Sequence, residues 1–223
     1  MKSILTGMSF GIAKEGIPFI LFFAFCTFIF ALIDFKILCI LFLALTFFVL
    51  NFFRDPERYP PCDENVVVSP ADGKIAEIKK VLDPIKGIEK LRISIFMNIF
   101  NVHVNRSPVS GEVQQIKYIP GKFFNASLDK SSEKNERNLI SIKTKYGDFT
   151  VVQIAGLIAR RIVCWIKKGD KLTIGQRIGM IKFGSRVDLY LPSGYEIIIN
   201  KGQKVVAGLT ILAKKQGKDY EKK

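Results

Sequence analysis

Three side chains in this sequence could together do nucleophilic chemistry: Ser185, His103 and Asp72. A serine hydroxyl is a weak nucleophile until a base takes its proton, and a carboxylate can hold that base in the right tautomer and orientation. His103 is the sole histidine, so any mechanism needing two is excluded. Ser185 follows Gly184 in Ile181-Lys182-Phe183-Gly184-Ser185-Arg186-Val187-Asp188, and Gly184 has no Cβ to obstruct a close approach to its carbonyl. Such a set could attack a carbonyl carbon, that of Gly184 included. Each residue also has a plainer reading. Asp72-Gly73 is a hairpin-turn signal between Val66-Val67-Val68 and Ile75-Ala76-Glu77-Ile78. His103 could be a surface residue on a polar face, and Gly184-Ser185 an ordinary connection between strands. The chain order Asp, His, Ser decides nothing, because such sets are recognised by geometry.

The elements around these residues are short and β-branched. Strands are predicted at 66–69, 74–80, 91–100, 102–105, 112–119, 139–144, 149–154, 161–166, 177–182, 186–191 and 195–199. From Leu91 to Ile99 the odd positions are apolar, whereas Val102 and Val104 put the apolar side on even ones. That change of parity predicts a bulge or break near Phe100, a device that re-aims side chains such as His103. Gly169-Asp170-Lys171-Leu172-Thr173-Ile174-Gly175 and Gly202-Gln203-Lys204-Val205-Val206-Ala207-Gly208 share the pattern G-x-K-[LV]-x-x-G, 33 residues apart. The fold expected is mainly β: a compact barrel-sandwich-like domain, preceded by an N-terminal hydrophobic helical hairpin.

The hairpin is read from two uninterrupted apolar runs, 17–33 and 37–53, split by Asp34-Phe35-Lys36. Each would be about 25 Å long as a helix, at the lower edge of what spans a bilayer core. One continuous helix would bury Asp34 and Lys36 in hydrocarbon, which is costly, so two helices turning at the break are expected. Whether they span or enter one leaflet stays open. The apolar stretch is too long for a cleaved signal peptide. Lys2 and Lys14 before it, with Arg54 and Arg58 after it, put both ends on the cytoplasmic side. Residues 1–53 are thus read as membrane-associated and 54–223 as a catalytic domain.

The 223 residues carry a formal charge of +14, almost wholly outside the apolar block. That excess suits either nucleic acid or an anionic bilayer, at about 1 kcal/mol per basic residue near such a surface. The apolar block favours the membrane, and the aromatic residues gather there rather than among basic strands, which argues against a nucleic-acid binder. Cys26, Cys39, Cys62 and Cys164 form no CxxC pair, so neither a metal site nor a disulfide framework is expected and a reducing cytoplasm fits.

Several segments weigh jointly. They are Ser69-Pro70-Ala71-Asp72-Gly73-Lys74, Phe100-Asn101-Val102-His103-Val104-Asn105-Arg106-Ser107-Pro108 and the stretch around Gly184-Ser185. Pro120-Gly121-Lys122-Phe123, Asn125 to Lys130, Asn135-Glu136-Arg137-Asn138, Gln153-Ile154-Ala155-Gly156 and Ala159-Arg160-Arg161-Ile162 join them. From about Arg54 to Leu212 the chain resembles the phosphatidylserine decarboxylase proenzymes in their short, membrane-associated form. Long-form enzymes usually carry Leu-Gly-Ser-Thr where this chain has Phe-Gly-Ser-Arg.

The resemblance implies a chain that cuts itself between Gly184 and Ser185. His103, oriented by Asp72, takes the Ser185 proton, and the hydroxyl oxygen attacks the Gly184 carbonyl to give an ester. Elimination leaves a β chain, 1–184, and dehydroalanine at position 185. Tautomerisation and loss of ammonia convert that residue to a pyruvoyl group on an α chain, 185–223. This group, derived from Ser185, is the implied cofactor, and no metal is implied. It would form a Schiff base with the amine of phosphatidylserine and withdraw electrons as carbon dioxide leaves, giving phosphatidylethanolamine. The implied partners are that lipid, the anionic membrane surface at the cytoplasmic face of the cell membrane, and the two chains as a heterodimer; a higher oligomer is compatible. Lys130, Lys134 and Arg137 lie in a polar loop suited to a phosphate or a bilayer surface, or simply to solvent, while Arg160 and Arg161 could meet the serine carboxylate or lipid phosphate, or could make ordinary ion pairs.

Two other readings remain at this stage. A membrane-anchored barrel-sandwich carrier or adaptor would explain anchor, glycine echo and strands without catalysis, but the lysine hairpin of a biotinyl or lipoyl carrier is missing. Within the enzyme reading, the substrate could be an ether-linked serine phospholipid.

Overall fold

The computed structural model describes residues 11–121, 135–156, 161–182 and 185–216. These fall into two compact units, one of residues up to Glu57 with Phe100–Val104, the other of Arg58–Ile99 with the chain from Asn105 onward.

The smaller unit is a helical hairpin. After a single 3-10 turn at Lys14–Gly16 come α1 (Ile17–Leu32) and α2 (Lys36–Phe52), with Pro18 in the first turn of α1, where its missing N–H is not needed. Asp34 makes the reversal in the left-handed region, at φ 56°. Phe23 and Phe30 of α1 both meet Phe42 of α2. Thr27 and Thr46 return their hydroxyls to the carbonyls of Phe23 and Phe42 at 2.8 Å, so neither helix offers an unpaired hydroxyl to its surroundings. Leu21, Phe22, Phe25, Phe28, Leu32, Ile37, Ile40 and Phe47 are all exposed. An apolar collar of that extent calls for lipid or a partner. The segment Lys14–Leu32 is long and apolar enough to cross a membrane; Lys36–Phe52 is shorter.

The larger unit is β-structured. Its main sheet has eight strands, ordered β13 (Lys204–Val205), β2 (Gly73–Leu82), β3 (Glu89–Met97), β11 (Ser185–Leu191), β7 (Gly147–Ala155), β6 (Arg137–Thr144), β5 (Gly111–Ile119) and β9 (Lys171–Leu172). Every pairing in it is antiparallel. Two three-stranded sheets accompany it: β1 (Val66–Val68), β14 (Ile211–Lys215), β12 (Tyr195–Ile197), and β4 (Val104–Arg106), β10 (Arg177–Ile181), β8 (Ile162–Cys164). Val67, Ile75, Ile93, Ile95, Ile140, Ile142, Phe149, Val187 and Leu189 anchor the core between the layers.

The glycine echo marks an internal duplication. Lys171-Leu172 and Lys204-Val205 become the opposite edge strands of the main sheet, β9 and β13. Their partners correspond too, Gly111↔Leu172 and Glu112↔Lys171 against Gly73↔Val205 and Lys74↔Lys204. The hydrogen bonds repeat in step: Gly175 N to Ser107 O and Gly208 N to Ser69 O, both 2.8 Å. Arg106 N donates to Pro70 O at 2.9 Å, and Val68 N to Pro108 O at 3.0 Å, a reciprocal pair across a pseudo-two-fold. Gly175 and Gly208, at φ 76° and 74°, meet there; a Cβ on Gly208 would stand 3.5 Å from the Gly175 Cα.

Two sequence expectations change. Val66–Val68 and the strand after Gly73 are not a hairpin: β1 pairs with β14, and β2 with β3 and β13, so Asp72-Gly73 is a corner between sheets. Strands β9 and β13 were not anticipated, because each is only two residues long, and β14, five residues long, was not anticipated either. The expected break near Phe100 is present, since β3 stops at Met97 and β4 begins at Val104.

Candidate active site

Ser185 opens β11, the strand flanked by β3 and β7 at the middle of the main sheet. It faces Met97 across one pairing and Ala155 across the other. Strand alternation puts Ser185, Val187 and Leu189 on the core side, so the hydroxyl is fully buried. Its Oγ donates to Met97 Sδ at 3.3 Å. Asn105 Nδ2 lies 3.7 Å from the same sulfur, Gln153 Nε2 donates to Asn105 Oδ1 at 2.9 Å, and Asn138 Nδ2 donates to Gln153 Oε1 at 2.9 Å. These polar groups sit in an apolar core only because each amide is satisfied by the next.

The other face of the same strand carries charge. Arg186 Nε donates to Asp188 Oδ1 at 2.6 Å and its Nη2 to Ser94 Oγ at 2.8 Å, while Arg92 bonds Glu77 and stands 4.0 Å from Asp188. Burial first, and the neighbouring Asp188 charge second, push the Tyr190 phenol up to about 12, so it stays a neutral hydroxyl. Burial lowers the Arg92 pKa, but Asp188, Tyr190 and Glu77 outweigh it and leave the guanidinium more basic than usual.

Asp72 occupies the corner before β2. The row Lys74, Phe96, Arg186 runs across β2, β3 and β11, with Met97 and Ser185 in the next row. The corner therefore lies at the same end of the sheet as Ser185, two strands away, about 10 Å at ordinary strand spacing. Arg58 grips both carboxylate oxygens, and Ala207 N donates to Oδ1 at 2.8 Å. In the duplicate half the equivalent residue is Ser110, whose Oγ accepts Ile174 N at 3.0 Å. The backbone contact needs only an acceptor, so the negative charge of Asp72 belongs to one half alone.

His103 belongs to the smaller unit, in the segment between β3 and β4. It is buried, its ring stacks on Phe52 at a centroid distance of 4.2 Å, and Nδ1 lies 2.9 Å from Asn101 O. A backbone carbonyl at Nδ1 selects the tautomer with hydrogen there and leaves Nε2 as the basic nitrogen. Arg54 fastens the same segment, donating from Nη2 to Phe100 O at 2.7 Å.

Gly184, Lys130, Lys134 and Arg160 lie outside the described residues. Arg137 opens β6, and the Arg161 carbonyl accepts Lys182 N at 3.2 Å. Met97 and Phe52 were not singled out in the sequence, and Asn105 and Gln153 stood there only within segments that carry the resemblance, without a role of their own. Gln153 had a usable signal, since it shares the core parity of Phe149 and Val151 inside an otherwise apolar run. No cluster that could hold a metal ion occurs among the described residues.

Comparison with known proteins gives one consistent result. Residues 45–213 match the family described as phosphatidylserine decarboxylase. The chain is 55% identical over 206 residues to a phosphatidylserine decarboxylase proenzyme of Solidesulfovibrio magneticus, covering 92% of this chain and 96% of that one. Identity to the phosphatidylserine decarboxylase proenzyme of Nitratidesulfovibrio vulgaris is 51% over 208 residues, with 93% and 96% covered. For that of Rickettsia felis it is 49% over 207 residues, with 91% and 89% covered.

Proposed function

This chain belongs to the phosphatidylserine decarboxylase family and is a decarboxylase, and from that premise we propose that it cuts itself between Gly184 and Ser185 and then converts phosphatidylserine to phosphatidylethanolamine at a membrane. The observation that carries this reading is the position of Ser185: a buried hydroxyl on the first residue of a central strand. A break there parts the chain where a strand begins. It leaves β11 paired to β3 and β7, β13 to β2, and β14 to β1, so the 39 residues from Ser185 stay in the fold as one component of a two-chain protein.

In this reading His103 removes the Ser185 proton, Oγ bonds to the Gly184 carbonyl carbon, and the histidine passes that proton to the Ser185 nitrogen as the Gly184–Ser185 C–N bond breaks. The resulting ester eliminates, leaving a carboxylate on Gly184 and dehydroalanine at 185. Tautomerisation, addition of water and loss of ammonia then give a pyruvoyl terminus. The surroundings of Ser185 fit that group, because it has fewer heavy atoms than the serine residue from which it is made and needs no space beyond the contacts of Met97 and Ala155. When formed, it supplies an electron sink for loss of carbon dioxide. The chain's own part is to keep the site dry, through the Val187–Leu189–Ile95 core beneath it, and to hold a proton donor for the product carbanion, a role assigned to His103. The hairpin α1–α2 holds the protein to the bilayer, with the β unit on the cytoplasmic face. A denaturing gel with intact-mass analysis tests this. Two fragments, 1–184 and 185–223, are expected, the smaller without a free amino terminus; an uncut chain in active membranes overturns it.

A further inference from the structure

We infer that the buried amide chain Asn138–Gln153–Asn105 positions the Ser185 hydroxyl for self-cleavage, and that it does so through its direction. This rests on the self-cleavage reading above. All three amides, Met97 and Ser185 are at most 2% exposed, so no water competes for their hydrogen bonds. An amide has an acceptor at one end and donors at the other. Asn138 donates to Gln153, Gln153 to Asn105, and Asn105 turns its N–H2 toward Met97 Sδ. The end of the chain at Met97, the residue on which Ser185 Oγ rests, is therefore a donor.

Among the described residues the hydroxyl itself has a soft partner. Ser185 Oγ rests on Met97 Sδ at 3.3 Å, and a thioether is a weak acceptor. The contact fixes a rotamer at small cost and surrenders its hydrogen readily to a base. An amide oxygen in the place of the Asn105 N–H2 would face the lone pairs of Met97 Sδ, repel the thioether and unsettle the seat of the Ser185 hydroxyl. Asn105, Gln153 and Asn138 are positioning residues in this sense.

Asn138→Asp tests direction rather than mere packing, because it is nearly isosteric and touches Ser185 only through the chain. An ionised carboxylate has no hydrogen to give, so Gln153 must turn its N–H2 toward it, and Asn105 then turns its oxygen toward Met97. A protonated carboxyl can donate and restores the original direction. Burial raises the pKa of the new carboxyl. Proenzyme is made by cell-free synthesis with phosphatidylglycerol-containing vesicles, moved to buffers between about pH 6 and pH 9, and followed as fragments on denaturing gels. Self-cleavage by Asn138→Asp should approach the wild-type rate at the acid end and fall about tenfold at the alkaline end, roughly one net hydrogen bond. Wild type should show no such fall. A constant ratio of the two rates across this range overturns the inference while leaving self-cleavage intact; an uncut wild type overturns both. Should Asn138→Asp not accumulate as folded protein, Gln153→Glu carries the same test, since an ionised carboxylate at 153 accepts from both neighbours and turns the Asn105 oxygen to the sulfur. Its cleavage must fall with rising pH in the same way, or the inference fails.

Discussion

Arg58 closes on Asp72 as a fork, Nη1 2.5 Å from Oδ1 and Nη2 2.9 Å from Oδ2, with both side chains nearly out of water. Arg58 also donates to Ala207 O at 2.8 Å, so the pair ties the linker to the corner before β2 and to the turn before Gly208. Removing one partner strands the other. Asp72→Asn and Arg58→Gln should each lower stability by on the order of 3 kcal/mol, seen as matched drops in melting temperature. Self-cleavage should separate them. Asp72→Asn should be the slower if Asp72 also orients the base, the role that the family resemblance implies for it. Equal slowing would reduce Asp72 to a structural clasp.

Ser185→Ala should give a folded, full-length, inactive protein, since no oxygen remains to attack Gly184. Ser185→Cys should still cleave, slowly, through a thioester. In the wild type the two fragments should elute together under native conditions and part only on denaturation, because β11 is paired on both sides. Decarboxylation at the wild-type rate by the alanine variant would refute the whole scheme.

Much of this arrangement was legible in the residues. The apolar runs broken by Asp34-Phe35-Lys36 became α1 and α2 with one-residue shifts, because helices exposed along an apolar surface are written in continuous hydrophobicity. The parity change after Ile99 located the break that precedes His103. The duplication was half visible. The G-x-K-[LV]-x-x-G echo exposed it, but Ser69-Pro70-x-x-Gly73 and Ser107-Pro108-x-x-Gly111 carry it equally and passed unread. Pairing across distance could not be read. Val66–Val68 looks like half of a hairpin with the strand after Gly73, yet its partner is β14, more than 140 residues on, and local turn chemistry says nothing about that. The amide chain escaped for the same reason: Asn105, Asn138 and Gln153 come from three separate strands.

Removing His103 should slow self-cleavage by on the order of 10²- to 10⁴-fold, the usual contribution of a general base. The order of rates expected on denaturing gels is wild type, Asp72→Asn, His103→Ala. Cleavage by His103→Ala at the wild-type rate would take His103 out of the site and require a different base.

Asp83 offers a stability test away from the chemistry. Burial pushes its pKa up, but Lys90 at 2.7 Å, the Thr150 hydroxyl and the N–H groups of Ile85 and Lys86 push it further down, so the net shift is downward. A carboxylate with a depressed folded pKa adds stability above its unfolded value of about 4, and that stability is lost as pH falls through the lower folded value. Asp83→Asn leaves Lys90 buried without its ion partner and should cost about 3–5 kcal/mol at neutral pH. The gap in melting temperature between wild type and variant should shrink below about pH 4. A gap that does not change with pH would mean that the ionised carboxylate contributes nothing.

The seat of His103 yields the last test. Its ring lies on Phe52, the final residue of α2, and Phe52 in turn meets Phe53 edge to face at 5.0 Å. Phe53 stacks on Phe19 of α1 at 5.7 Å, so the histidine rests on aromatic packing that the hairpin itself builds. Phe52→Ala removes the surface beneath the imidazole and frees it to leave the rotamer that the Asn101 carbonyl favours. Self-cleavage should slow by roughly tenfold, the size of a lost aromatic pair. Membrane attachment should survive high salt, because the exposed apolar residues of α1 and α2 are untouched. Phe52→Tyr, which keeps the ring, should restore most of the rate. Flotation of membranes and a time course on denaturing gels read the two properties separately. If Phe52→Ala cleaves as fast as the wild type, the stacking serves the hairpin alone and the base is held by its own segment.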